Sequence, residues 1–147
     1  MKEERREGER KPTKSYRELL VWQRAHEFVL GIYRFSGAFP DHEMFGLTSQ
    51  IRRAAVSVPS NIAEGYKRRG KRDKARFLNM AQASLEEASY QLILASDLGY
   101  GETDQLWEQY EEVSRLLNRY ESSIRLRLAA WLPPLFSLLP FFHSSSK

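Results

Sequence analysis

The chain has 147 residues, 41% hydrophobic and 29% charged, which is one domain's length and enough for a single buried core. That composition excludes collagen, wholesale disorder and a polytopic membrane protein. Without cysteine there is no disulfide framework, zinc–thiolate site or thiol nucleophile, and the net charge of +4 is informative only through its distribution.

Residues 1–14 form a charged tail. Lys2, Arg5, Arg6, Arg10, Lys11 and Lys14 alternate with Glu3, Glu4, Glu7 and Glu9, and no apolar stretch of a signal peptide is present. The first helix is expected near Ser15, because Ser15-Tyr16-Arg17-Glu18 has the form of a capping box. Trp22, Ala25, Val29 and Ile32 then mark its inner face, and Ser36-Gly37 with Pro40 ends it. A second helix is expected after Asp41 as N-cap, with Leu47, Ile51, Ala54 and Val58 facing inward. Pro59 falls inside that pattern. It removes a backbone donor and crowds the carbonyl of Ala55, so a kink is predicted.

The third helix has the clearest period. Leu78, Ala81, Leu85, Ala88, Leu92 and Ala95 alternate leucine with alanine, as in a tightly packed antiparallel seam, and Gly99 suits a left-handed cap. Leu106, Tyr110, Val113, Leu117, Tyr120 and Ile124 define the fourth. The expected fold is all-α, an up-down four-helix bundle over residues 15–124 with a kinked second helix. A three-helix core with one swapped helix, or an open oligomeric assembly, are the alternatives. Residues 125–147 form an apolar tail. Its run Leu128–Phe142 is too short for a spanning helix and is broken by Pro133, Pro134 and Pro140. It reads as an end lying on the bundle or against another subunit, or as an interfacial or partner-binding tail.

The charge map is polarised. From Arg52 to Arg76, Arg52, Arg53, Lys67, Arg68, Arg69, Lys71, Arg72, Lys74 and Arg76 oppose only Glu64 and Asp73, a balance of +7. From Phe77 to Ser123 the balance is −7. A basic pole attracts polyanions even at small net charge; it can equally offset the acidic pole within or between subunits. Catalytic signals are missing. His26, His42 and His143 have no metal-ligand spacing, and the Glu-x-x-His pair, H-E-x-x-H, G-x-S-x-G and P-loop patterns do not occur. The chain therefore reads as no enzyme, with no metal and no cofactor.

The stretch from Gln50 to Tyr66 is unusual for a bundle helix. Gln50 and Asn61 demand partners if buried. Ser60 and Asn61 are expected to satisfy groups freed at Pro59, and Glu64 to pair with an arginine. Alternatively, the kink presents Arg52, Arg53 and the following basic loop to a polyanion. Tyr66 and Phe77 flank the basic run as candidate base-stacking rings.

These residues resemble a known family, named for the intervening-sequence protein of bacterial 23S rRNA genes. The resemblance rests on Leu20–Ala25, on Phe39-Pro40 with Glu43, and on Gly46–Ala54 and Ser57–Gly65. It continues through Phe77-Leu78 and Ala83–Glu87. The resemblance implies a four-helix bundle assembling as a ring-like homo-oligomer, pentameric in representatives. It is also similar to the accessory protein of diversity-generating retroelements, which contacts reverse transcriptase and nucleic acid. In that family's central motif, Gln50, Pro59, Ser60, Asn61, Glu64 and Gly65 stand as a structural set. Ala83 replaces the family's usual glycine, which implies a wider helix contact there. The expected function is non-catalytic binding of RNA or DNA by a cytoplasmic homo-oligomer, with the nine basic residues on phosphates. A protein-interaction scaffold is the alternative, and membrane-surface association through Trp131 and Phe136–Phe142 a third reading.

Overall fold

A computed structural model describes residues 12–129. The expectations for residues 1–11 and for the apolar stretch beyond 129 lie outside the described residues. Four helices follow one another: α1 (Leu20–Ser36), α2 (Leu47–Lys67), α3 (Lys71–Asp97) and α4 (Asp104–Ala129). Each packs on the next and α4 returns to α1. Connections are short, so neighbours run antiparallel. Among the described residues there is no strand. The fold is the expected four-helix bundle.

Both early helix starts move. Ser15 Oγ accepts the Arg17 N–H at 3.2 Å, but Glu18 Oε2 takes the Lys14 N–H at 2.9 Å, one residue before the donor a capping box uses. The capped element is a single 3-10 turn, Tyr16–Glu18. Leu19 is extended (ψ 124°) and packs on the core, so α1 begins only at Leu20. Asp41 likewise opens a 3-10 turn, Asp41–Glu43, and not α2. The first turn of α2 is capped by Glu43, whose Oε2 accepts the Leu47 N–H at 2.8 Å. Its Oε1 accepts the Tyr100 hydroxyl at 3.0 Å. A Cβ at Gly46 would lie 2.7 Å from that carboxylate, so glycine makes room for the cap.

The Leu47 N–H, then the Tyr100 hydroxyl and nearby His42, hold the Glu43 carboxyl below the usual carboxylate range. A depressed folded-state value stabilises above the unfolded value and is lost as pH falls through the folded one. The Glu43→Gln protein is therefore expected to be less stable at neutral pH. Its deficit should shrink as pH falls below the unfolded glutamate value, about 4.3, toward the lower value of the folded carboxylate. Urea midpoints measured from neutral to acid pH check this; a deficit independent of pH would contradict it.

The core forms where the periodicities place it. Ala25, Val29 and Ile32 of α1, Leu47, Ile51, Ala54 and Val58 of α2, and the whole Leu/Ala ladder of α3 are buried. Phe28, missed by the 3-4-3 reading, is fully buried, whereas Trp22 sits half-buried at the edge. On α4, Leu106, Val113, Leu117 and Ile124 are buried. Tyr110 stands at the rim and donates to Glu86 Oε1 of α3 at 2.7 Å; burial and that carboxylate push its hydroxyl up to about 12. At the end of α3, Gly99 (φ +75°) is left-handed as expected. Its N–H reaches the Ser96 carbonyl, and the Tyr100 N–H reaches that of Ala95, the double bond of a Schellman cap.

Helix α2 continues unbroken through buried Pro59. Ser60 Oγ donates to the Val56 carbonyl at 2.8 Å, and Asn61 Nδ2 to the Ser57 carbonyl (2.8 Å) and Oγ (2.9 Å). Both side chains thus bond one turn back, on the two carbonyls that follow that of Ala55 and not on Ala55's own. Gln50 is exposed and needs no protein partner. The α2–α3 seam is close. Ser84 Oγ donates to Ser57 Oγ at 2.8 Å, and a Cβ on Gly65 would fall 3.1 Å from Phe77 Cβ. Ala83 lies on the exposed face of α3, so its methyl widens no contact inside the bundle.

Candidate nucleic-acid interface

Only Arg68-Arg69-Gly70 separate α2 from α3. The expected basic loop is therefore mostly helix: Lys71, Arg72, Lys74 and Arg76 occupy the first two turns of α3. The nine basic residues divide into two groups. Arg52 lies fifteen residues before Lys67 on α2, roughly 22 Å along the axis. Its Nε donates to Ser36 Oγ at 2.8 Å, and its guanidinium lies 4.7 Å from the Tyr33 ring centroid, pinning the end of α1. Arg53, exposed beside it, donates to Ser49 Oγ at 3.2 Å.

The other seven gather at the opposite end, around the α2–α3 turn. Lys74 is committed to the fold. Its Nζ donates to the Tyr66 carbonyl at 2.7 Å and the Gly65 carbonyl at 3.2 Å, closing the open C-terminus of α2. Burial lowers its pKa. Arg68 and Arg76 place their guanidinium carbons 4.6 and 5.2 Å from the centroid of Phe77, which is buried. Arg76 also lies 3.9 Å from Asp73. Lys67, Arg69 and Arg72 are exposed and form no ion pair among the described residues. Lys71 is half-buried.

The two flanking rings are taken up by the protein itself. The Tyr66 hydroxyl donates to the Thr13 carbonyl at 2.7 Å and lies 3.1 Å from Thr13 Oγ1, with the Lys74 ammonium 5.7 Å from its ring. Phe77 is buried beneath Arg68 and Arg76. Phe77 therefore offers no free face to a base, and Tyr66 is half-buried with its hydroxyl tied to Thr13. The Thr13 contact does bring exposed Lys14 and Arg17 to the same end. An up-down order sets the start of the first helix beside the second turn.

The rest of the motif is structural where its contacts are visible. Asn61 is spent on Ser57, and Gly65 permits the Phe77 approach. Glu64 is exposed and pairs with no arginine among the described residues, contrary to expectation. The acidic pole lies at the far end, where Asp97, Glu102, Asp104 and Glu108 surround the α3–α4 connection. Among the described residues no group of His, Asp or Glu is placed to hold a metal ion, and no helix is long and apolar enough to cross a membrane.

This bundle, with its amide-and-proline α2, matches the 23S rRNA-intervening sequence protein family over residues 17–119. The chain belongs to that family. Its fold also resembles a crystal structure from Bacteroides thetaiotaomicron, a protein of unknown function from the S23 ribosomal protein family, with a TM-score of 0.53 and 24% identity. That likeness covers 74% of this chain and 98% of the other, and it carries the fold alone. No curated protein matches the chain. The family match spans Arg17 to Arg119 and so contains the basic turn.

Proposed function

We propose that this family member is a non-catalytic RNA-binding protein that works as a cytoplasmic homo-oligomer and grips phosphates with its α2–α3 end. The carrying observation is where its cations sit. Lys67, Arg68, Arg69, Arg72 and Arg76 are exposed around one three-residue turn, in a stretch of sequence whose acids are Glu64 and Asp73. Arg72 rides on the first turn of α3, where the helix dipole disfavours cations. Such an arrangement costs stability unless an anion completes it. The family name supplies RNA as the polyanion. DNA binding rests on the same phosphates and is separated by the same assay. Oligomerisation would multiply weak contacts through effective concentration.

A scaffold reading has one observation behind it. Phe45 is 94% exposed and Met44 58%, on the connection before α2 and away from the basic end. Such residues suit a protein contact, with another copy or a separate partner.

The test is binding of labelled RNA and DNA by the full chain across a salt series. Four to five phosphate contacts give a slope of log K against log salt of about −3 to −5. Absence of binding at low salt, from a folded and assembled protein, would replace this reading with the scaffold.

A further inference from the structure

Phe77 is buried and Tyr66 is half-buried and tied to Thr13; another aromatic surface lies one step away. Trp22 and His26, one turn apart on α1, stack with centroids 5.2 Å apart and planes 9° from parallel. Tyr16 meets the Trp22 ring edge-on at 5.2 Å. These rings form one wall of an open groove of ≈ 370 Å³, whose other wall is Val56, Pro59, Ser60 and Ala63 of α2. His26 is exposed, Trp22 half-buried, and no carboxylate lines the groove. Ala63 also lines the neighbouring cleft, shared with Glu64, Lys67 and Arg68. Through Ala63 the groove adjoins a cleft that carries Lys67 and Arg68 together with Glu64.

From this continuity we propose that the Trp22–His26 groove is a nucleobase site. An unpaired base of a single-stranded RNA, whose phosphates lie on Lys67 and Arg68, stacks in the groove against the Trp22–His26 pair. The inference rests on the RNA-binding reading above and adds the single-stranded substrate class. Three features favour this occupant. Parallel, partly exposed rings in a helix offer the flat faces that bases stack on. The volume is within the range of small-molecule sites, about 300–1,000 Å³. No carboxylate lines the groove, and in the adjoining cleft two cations outweigh Glu64, which matches a phosphate-linked ligand in charge. A duplex keeps its bases stacked internally and uses only the cations, so the groove distinguishes the two.

Two readouts test it. In a Trp107→Phe/Trp131→Phe background Trp22 is the sole tryptophan. Its fluorescence is expected to be quenched by a short single-stranded RNA, and not by the same RNA as a duplex or by inorganic polyphosphate. His26→Ala is expected to weaken single-strand binding about tenfold, the lower part of the range for one stacked base. It should leave duplex binding unchanged, and His26→Phe, which keeps a ring without the imidazole, should restore the affinity. RNA binding with silent Trp22 fluorescence and no His26→Ala effect would overturn the groove and leave the phosphate surface standing. A His26→Ala change in sedimentation, with single-strand and duplex binding altered alike, would assign the groove to a second copy. Failure to bind any nucleic acid would instead remove the reading on which the site depends.

Discussion

Replacing Lys67, Arg68, Arg69 and Arg72 together with glutamine is expected to lower RNA affinity by about two orders of magnitude at low salt. The salt slope should flatten by about 3 to 4, roughly one per lost phosphate contact. Unfolding should hardly change. All four side chains are exposed, and none caps a helix or enters an ion pair among the described residues. Arg68 alone has a ring contact, with Phe77, which the glutamine stem partly preserves in bulk. Removing four like charges from one turn also relieves repulsion. A folded variant that keeps both its affinity and its salt slope would show that phosphates are held elsewhere.

Lys74 is left out of that variant for a physical reason. Its ammonium holds the last carbonyls of α2 at 2.7 and 3.2 Å, so its loss would fray the turn that carries the other cations. A weakened Lys74 variant would report on folding and binding at once. The same distinction separates Arg52 from the basic end. Arg52 is tied to Ser36 and Tyr33 on α1, where it fixes one helix to the next.

The fold was legible because each helix has one inner face with a regular period. Leu78 to Ala95 needed no tertiary information, since alternate leucine and alanine bury a continuous stripe whatever packs against it. Helix starts were less legible. Ser15 is a real cap but starts only a 3-10 turn, after which extended Leu19 intervenes, and Asp41 lies inside a second 3-10 turn, its side chain capping nothing among the described residues, while Glu43 caps α2 instead. Glu43 acts on a backbone group four residues ahead and a ring from the α3–α4 connection, a link no local pattern contains. The basic run was visible as composition, yet its division was not. Which cations are free depends on carbonyls and rings brought near by folding, as for Lys74 and Arg52. The Trp22–His26 pair has the spacing of an ordinary core stripe. Only the shallow packing of that edge leaves the stacked pair beside an open groove.

The seam beneath the basic turn gives the sharpest test of how packing supports the site. Gly65 is buried within α2, and helix propensity alone makes alanine better there by about 1 kcal/mol. The seam opposes that gain. The new Cβ would sit 3.1 Å from Phe77 Cβ and 3.5 Å from the Lys74 carbonyl, both anchored directly to the α3 backbone. Neither can swing aside as a side-chain tip could, so α3 itself must shift. Gly65→Ala is therefore expected to gain nothing, and Gly65→Val, with two further methyl groups, to cost about 1–3 kcal/mol. Because Phe77 carries Arg68 and Arg76 and Lys74 caps α2, the valine variant should also bind RNA more weakly although no charge is removed. Urea unfolding gives the stability, and RNA titration well below the melting temperature gives the affinity. An alanine variant stabilised by the full propensity difference would mean that α2 and α3 have slack at this seam, and that the basic turn is not held by it.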